Sequence, residues 1–397
     1  MSQIRRYLWT TLALATVLSL ASAAHAATWI VGPCSDDVAL TGPDAIQIVL
    51  GDTATWPIAA GDTIELCPGT IFFGGNVVYT DNITITKVPK KAKPFVSCQQ
   101  EPAITSDIGF LVLSQGVTIE DVAVYGCDAG IVDPGPGFAA GGLATISNTL
   151  QSLMSPYTMV NATGANLPLI GPLNAEIVPA WQSKTQKVKR KNQSCPAHDV
   201  NLCITNDLIE DNGVGLFTNS VTDADIESNQ FISNYYAAVV MFDSFSSVVS
   251  HNQIIGYQDI TPQSFSAAAG ILEVDGNQDV INHNVIEDTG IAIDLESQFA
   301  GTSLDSVKSN TTEYNGVGIG IDVVDTYFGY VTLQSSLNTV SGNNSRNNLT
   351  PGDTFPAFFT ADCIDFTLGG RTVGAANTWK QSNHCGTSLT VTGEKLP

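Results

Sequence analysis

A short phrase that returns every 22 to 32 residues constrains the fold of this 397-residue chain more than any other feature. Each copy places a polar residue between two apolar stretches, as in Ile226–Asn234 and Ile281–Ile291. The polar anchors stand at Asp207, Asn229, Asn252, Asn284, Asn310 and, more weakly, Asn338. A repeat of this length is typical of a solenoid, in which each unit buries its apolar face only by stacking on the next unit.

The spacing of apolar residues inside each repeat predicts β-strands rather than helices. Just after each turn an apolar side chain stands at every second position, at Val239 and Met241, Leu272 and Val274, Ile293 and Leu295. A period of two is that of a strand, and the Gly, Asn, Ser and Thr residues between the strands are weak helix formers. We therefore expect an all-β solenoid.

These phrases resemble the repeats of right-handed parallel β-helix proteins of the pectate lyase-like superfamily. The resemblance covers about residues 55 to 345 and implies a fold rather than an activity, because pectate lyases, polygalacturonases, alginate lyases and phage tailspikes share that fold. In such folds the recurring Asn turns inward at a corner and bonds the same residue one coil away, since a buried amide must find partners. We expect one monomeric β-helix.

The two ends of the chain predict export and capping. Arg5 and Arg6, the apolar run Leu8–Leu20 and the A-H-A before Ala27 have the pattern of a secretory signal. We expect residues 1–26 to be removed near Ala26 and the protein to be secreted or periplasmic, with no transmembrane segment. The remaining divisions that we predict are an N-terminal cap at 27–59, a β-helix at 60–345 with a loop excursion at 133–201, and a C-terminal cap and tail at 346–397.

The charge of the chain limits its partners. It has 16 Lys and Arg against 38 Asp and Glu, a formal net charge of −22. Such a surface disfavours nucleic acid and anionic membranes, which need clustered positive charge on the protein. One segment, 184–191, is basic; we interpret it as a solvated loop, with a clamp for an acidic ligand as the alternative.

The eight cysteines predict disulfides, because an even number in an exported chain favours pairing over metal or redox chemistry. The pairs that spacing suggests are Cys195 with Cys203, Cys363 with Cys385, and Cys67 with Cys98. A bridge between Cys363 and Cys385, together with Trp379, would hold a C-terminal cap over the last apolar layer.

Acidic residues on successive repeats form the strongest candidate site. If Val274, Leu295 and Ile321 point inward, the residues between them point outward, and E-V-D at 273–275 lies beside D-L-E at 294–296. Coils are about 4.8 Å apart and alternate residues of a strand about 6.6 Å apart, so the carboxyl groups form a grid. Like charges on neighbouring strands are costly, which favours a function for the grid; the alternative is an acidic outer face that only keeps the protein soluble.

Crowded carboxyl groups can divide the roles of acid and base, and cutting a glycosidic bond requires both. The residues that we predict to be catalytic are Asp294, Glu296, Glu273 and Asp275. No cofactor is certain, but calcium prefers oxygen ligands and would bind Asp275, Glu296 and Asp322. The predicted substrate contacts are Phe242, Tyr257 and Asp322.

The resemblance implies an enzyme of glycosidase or lyase type that acts on an extended polysaccharide. Polygalacturonases carry acids on neighbouring coils, but their Gly-His-Gly and Arg-Ile-Lys motifs are absent here. Pectate lyases add an arginine base, whereas Arg346 and Arg371 lie late in this chain. The alternative is a non-catalytic extracellular or surface protein with a binding or structural role, in which loops 133–201 and 257–266 recognise the partner. The partner that we predict is a polysaccharide or glycan.

Overall fold

The computed structural model describes residues 26–99, 108–135, 200–256, 269–297, 302–322, 335–348, 361–367, 377–390 and 396. Over these ranges the chain winds through three parallel sheets, named A, B and C in the order in which a coil crosses them. Each strand pairs with the strand one coil before it and one coil after it. The predicted parallel β-helix is confirmed.

The strands of one sheet come from successive coils. Sheet A contains Thr28–Val31, Thr63–Leu66, Thr84–Lys87, Val117–Glu120, Leu202–Thr205, Ala224–Glu227, Val248–Ser250, Val280–Asn282, Ser306–Lys308, Thr339–Ser341 and Thr378–Trp379. Sheet B contains Ile71–Phe73, Phe95–Ser97, Ala123–Tyr125, Leu208–Glu210, Gln230–Ile232, Gln253–Ile255, Val285–Glu287, Thr311–Glu313, Asn344–Ser345 and His384–Cys385. Sheet C contains Asn76–Val78, Ile108–Val112, Ala129–Asp133, Val214–Asn219, Ala237–Phe242, Ala269–Val274, Ile291–Glu296, Val317–Ile321, Ala361–Asp365 and Ser388–Thr390.

The core is a set of apolar columns that run along the inside of the coils. In sheet A one column contains Ile64, Ile85, Ile119, Ile204, Ile226, Val249, Ile281, Val307 and Val340, all buried. At the C-terminal end Trp379 pairs with Val340 and extends the column, and its indole N–H donates to Asp365 Oδ2 at 2.8 Å. At the N-terminal end the helix Ala45–Gly51 packs Ile46 and Val49 into the same core, after a short 3-10 turn at Val38–Leu40.

The predicted amide ladder occupies the corner between sheets A and B. Asn252 shows the pattern: its backbone N–H and its Nδ2 both donate to Asn284 Oδ1 at 3.0 Å, and its Nδ2 also donates to the Ile226 carbonyl at 2.9 Å. The bond from the backbone N–H to the next Oδ1 recurs between neighbouring anchors from Asp207 and Asn229 through Asn284 and Asn310 to Asn343 and Asn383. Because these side chains are buried, they need hydrogen-bond partners within the protein, and the anchors of neighbouring coils supply them.

The last predicted anchor, Asn338, is wrong. Asn338 lies at a different corner, between sheets C and A, where its Oδ1 accepts the backbone N–H of Asp305 at 2.9 Å. The anchor that continues the ladder between sheets A and B is Asn343. The two asparagines stand five residues apart in the sequence, so repeat spacing alone did not separate one corner from the next.

Three disulfides have both cysteines among the described residues, and each joins cysteines that stacking brings to neighbouring coils. Cys363–Cys385 is confirmed, with 5.8 Å between its Cα atoms. The predicted pairing of Cys67 with Cys98 is wrong, because Cys67 bonds Cys34 and Cys98 bonds Cys127. In both observed pairs each cysteine follows one of two strands that pair with each other, so the register of the strands decides which cysteines meet.

Several expectations fall on residues that the structure does not describe. They are all but the last residue of the signal at 1–26, most of the excursion at 133–201, the basic segment 184–191, the loop 257–266 and Cys195. Cys203 itself is disulfide-bonded. Within the described ranges, no helix is both long and apolar enough to cross a membrane.

Candidate functional site

The outer face of sheet C is apolar over half its length. Its outward side chains pack into a cluster separate from the interior core, which includes Val132, Phe217, Val240, Phe242, Leu272 and Val274. The rings of Phe217 and Phe242 lie 5.7 Å apart. These side chains expose 3% of their surface or less, so this face of the coil is closed to solvent.

Two carboxylates interrupt this apolar face. Asp294 pairs with Leu272 on one side and Gly320 on the other, and Glu296 pairs with Val274, so both side chains point outward. One coil beyond Gly320 the same column returns to an apolar residue, Ile364. Asp294 is 1% exposed and Glu296 0%. The interruption is therefore a buried acidic pair set in an apolar surface.

The predicted four-carboxyl grid is wrong by one residue of register. Leu272, and not Glu273, pairs with Asp294. Val274 points outward instead of inward, whereas Leu295 points inward as predicted. Glu273 pairs with Leu295 and so lies on the inner face. Apolar residues occupy both faces of this strand, and a slip of one position exchanges the faces completely.

The other predicted site residues flank the acidic pair. Asp275 stands at the corner after its strand with φ 56°, and its backbone N–H donates to the Glu296 carbonyl at 3.0 Å. Asp322 accepts two hydrogen bonds from Ser335, one from the hydroxyl at 2.6 Å and one from the backbone N–H at 3.0 Å. Phe242 pairs with Val274 on the outer face. Tyr257 lies outside the described residues.

The structure instead brings Glu273 together with two acids that sequence analysis missed. Glu273, Asp279 and Asp305 form a carboxyl triad inside the corner between sheets C and A, with ligand oxygens that all lie within 4.8 Å of one another. All three are at most 1% exposed. Among the described residues this is the one group of three that could hold a metal ion; the predicted calcium set of Asp275, Glu296 and Asp322 does not form such a group.

Hydrogen bonds from the coil fix Asp279 and Asp305 in the triad. Asp279 accepts from the Ser244 hydroxyl at 2.5 Å and from the Ser247 backbone N–H at 2.6 Å. Asp305 Oδ1 accepts the backbone N–H of Asp279 at 2.8 Å. Asp279 and Asp305 thus stand in a second ladder, which begins at Ser247 and continues to Asn338. A second polar anchor five residues before the first one was the signal in the sequence.

Burial sets the ionisation of the triad. Loss of solvation raises the pKa of Glu273 well above its usual range, and the negative charges of Asp305 and Asp279 raise it further. Loss of solvation also raises the pKa of Asp305 to about 8 and raises that of Asp279. Without a cation, at least one of the three groups therefore holds a proton at neutral pH.

Comparisons with known proteins were made for the whole chain. No family model matches the sequence, and no curated protein matches it. The solved structures that it resembles include an alginate lyase from Paenibacillus sp. str. FPU-7 (12% identity, TM-score 0.45, 80% of this chain and 94% of that chain). A GH136 lacto-N-biosidase from Eubacterium ramulus (8%, 0.40, 92% and 68%) and a DFA-IIIase from Arthrobacter chlorophenolicus A6 (12%, 0.39, 80% and 67%) are also similar.

Proposed function

We propose that the protein is an exported enzyme that hydrolyses glycosidic bonds of an extended polysaccharide, with Asp294 and Glu296 as its acid and base. The observation that carries the proposal is the acidic pair in the otherwise apolar outer face of sheet C. Alternate residues on a strand are about 6.6 Å apart. Two parallel side chains at that backbone spacing would hold their carboxyl groups at the lower end of the range of about 6.5 to 9.5 Å found in inverting glycosidases, where a water molecule fits between sugar and base.

The chemistry follows from the two carboxyl groups. One of them, protonated, donates its proton to the glycosidic oxygen as the bond from that oxygen to the anomeric carbon breaks. The other accepts a proton from a water molecule whose oxygen forms the new bond to the anomeric carbon. A sugar that reached the pair would also meet the Phe242 ring, which pairs with Val274 on the same outer face, and Asp275 at the corner that follows this strand.

Hydrolysis suits these residues better than elimination. A lyase that acts on a uronate needs a base for the C5 proton and a positive group to neutralise the carboxylate. Arg346 pairs instead with Glu313 of sheet B at 2.8 Å. Asp294 and Glu296 supply acid and base but no positive charge, which favours the hydrolase over the lyase.

The burial of the pair favours a second candidate function, a non-catalytic glycan-binding protein. Asp294 and Glu296 expose almost no surface, and hydrolysis requires that a sugar chain reach them. In a binding protein the two carboxylates would have no contact with substrate. The two functions differ in one measurable respect, since only the enzyme releases products.

Asp294→Asn and Glu296→Gln test the proposal. Each variant should lower the release of reducing ends from a panel of neutral and acidic polysaccharides about 10²- to 10⁴-fold, the usual effect of losing a general acid or base. Asp243→Asn is the matched control, because Asp243 is an exposed acid at the end of an earlier strand of sheet C; it should keep full activity. Circular dichroism should show the same fold in all three.

The outcomes separate the hypotheses. Unchanged activity in the double variant overturns the assignment of Asp294 and Glu296. Unsaturated products, detected by their ultraviolet absorbance, would replace the hydrolase with a lyase. Retention on an immobilised polysaccharide without any product would leave the binding protein as the function.

A further inference from the structure

Glu273 is a buried carboxyl group that receives no hydrogen bond from an N–H group or a hydroxyl group. Its side chain is 0% exposed, its two oxygens have no such donor among the described residues, and the groups that they face are the carboxyl groups of Asp279 and Asp305. A buried polar group in that state costs about 1 to 3 kcal/mol, and more when it is charged. Something other than the surrounding hydrogen bonds must therefore offset the cost of placing Glu273 inside the coil.

The surroundings of Glu273 make the cost larger. Asp279 and Asp305 are two acidic residues in a ladder whose neighbouring members are neutral. Ser247 holds the same position one coil before Asp279, and Asn338 holds it one coil after Asp305. Asp305 Oδ2 also lacks an N–H or hydroxyl donor among the described residues. Two oxygens of Glu273 and one of Asp305 thus face other carboxyl groups in an interior with little solvent screening, where only a proton or a cation can join them.

The backbone leaves room for the Glu273 carboxylate at one position. A Cβ atom added at Gly276 would overlap Glu273 Oε1, although Gly276 does not have the positive φ that would by itself favour glycine. The absence of a side chain at 276 therefore keeps the space that the carboxylate fills. This second observation is independent of the clustering of the acids.

We propose that Glu273, Asp279 and Asp305 bind a divalent cation that prefers oxygen ligands, in the interior corner between sheets C and A. The ligand oxygens lie within 4.8 Å of one another. An ion between three oxygens that are at most 4.8 Å apart lies at most about 2.8 Å from each of them, so a small inward movement of the carboxylates would reach the range of about 2.3 to 2.6 Å for calcium. Three carboxylates and the nearby Ser244 hydroxyl supply oxygen ligands only, which excludes a site for a soft metal.

The cation would stabilise the coil rather than take part in hydrolysis. Its ligands are inward-facing residues of two successive coils, whereas Asp294 and Glu296 point outward from sheet C. The two proposals share no residue, so either can fail alone. The competing explanation for the triad is a set of carboxyl groups that share protons, and the experiment distinguishes the two.

The test uses the full chain, unfolded and refolded in buffer with a chelator and then supplied with calcium, magnesium or manganese ions. Elemental analysis after dialysis should find about one equivalent of cation per chain, and the cation should raise the Tm of the refolded protein. Glu273→Gln and Asp305→Asn should each lose the bound equivalent and the rise in Tm. The variant Asp305→Asn should fold, since an asparagine, Asn338, holds the same ladder position one coil later.

Asp223→Asn is the matched control, because Asp223 is an exposed acid whose φ of 55° an asparagine also adopts. It should bind the cation as the wild type does. Wild-type protein that binds none of the three ions and shows no shift in Tm overturns the proposal and leaves the proton-sharing triad. Cation binding that persists undiminished in both Glu273→Gln and Asp305→Asn also overturns it, because the ion would then lie elsewhere.

Discussion

At two corners of the same coils, different side chains accept the hydrogen bonds of the buried backbone N–H groups. Between sheets A and B, consecutive coils place an amide at the corner, at Asn229, Asn252, Asn284 and Asn310. Between sheets C and A, the same inward position is held by Ser247, Asp279, Asp305 and Asn338. In both ladders a side-chain oxygen accepts the backbone N–H of the preceding coil.

The two ladders differ in what the second polar atom of the side chain does. The Nδ2 of an asparagine donates to a backbone carbonyl and to the next amide, as in Asn284. The second oxygen of an aspartate cannot donate unless it is protonated, and Asp305 Oδ2 has no donor among the described residues. An amide column therefore satisfies itself, whereas a carboxyl column needs a proton or a cation from outside.

The largest effect should come from removing an amide from the middle of the first ladder. Asn284→Ala removes the bonds that Asn284 Nδ2 donates to the Val249 carbonyl and to Asn310 Oδ1, and the two bonds that Asn252 donates to Asn284 Oδ1. Because each lost buried bond costs about 1 to 3 kcal/mol, the free energy of unfolding should fall by about 3 kcal/mol or more. Urea denaturation measures it. The control Asn282→Ala, on a half-exposed residue of the same coil, should cost less than about 1 kcal/mol; equal losses would contradict the ladder.

A smaller effect should follow when a carboxyl group is placed in the amide ladder. Asn252→Asp sets an oxygen against the Ile226 carbonyl and Asn284 Oδ1, where Nδ2 now donates. The loss should be about 2 kcal/mol at pH 7, and it should shrink at pH 4 because a protonated carboxyl can donate one bond. Denaturation at both pH values tests this, and a loss that does not depend on pH would refute the explanation.

The reverse exchange should stabilise the second ladder when no cation is present. In Asp305→Asn an amide replaces the oxygen without a donor, and its N–H groups can donate to Glu273. With a chelator at pH 8 the free energy of unfolding of the variant should be about 1 kcal/mol higher than that of the wild type. Thermal denaturation with and without chelator measures the difference. If Asp305→Asn were less stable than the wild type in chelator, the carboxyl group of Asp305 would not destabilise the cation-free protein, and the explanation would be wrong.

The smallest effect should come from a carboxyl group on the outside of the coil. Burial raises the pKa of Glu210 in sheet B to about 7, and neighbouring Asp211 adds to the shift. Its stabilising contribution is therefore complete below about pH 4.5 and is lost as the pH rises through about 7. Glu210→Gln should remove this part of the pH dependence, worth less than about 1 kcal/mol because the side chain is partly solvated. The free energy of unfolding is measured for both proteins from about pH 4 to 8. If its dependence on pH were the same for the wild type and the variant, the assignment to Glu210 would be wrong.

Sequence reasoning succeeded where neighbouring repeats reinforced one another. The anchors from Asp207 to Asn310 recur in the same phrase, and the structure stacks all of them. It failed where a strand was apolar on both faces, as from Ile271 to Val274, since alternation there did not distinguish inside from outside. Glu273 was consequently assigned to the outer face, and its partners Asp279 and Asp305 were missed.

The sequence by itself determined that this chain winds into stacked β-coils with an amide ladder, because a repeated polar anchor between short strands has no other way to bury its apolar residues. Only the tertiary structure decided which carboxyl groups meet. Contacts between coils depend on the register of parallel strands and on loops of unequal length. A shift of one residue in that register moved Glu273 from beside Asp294 and Glu296 to the interior with Asp279 and Asp305.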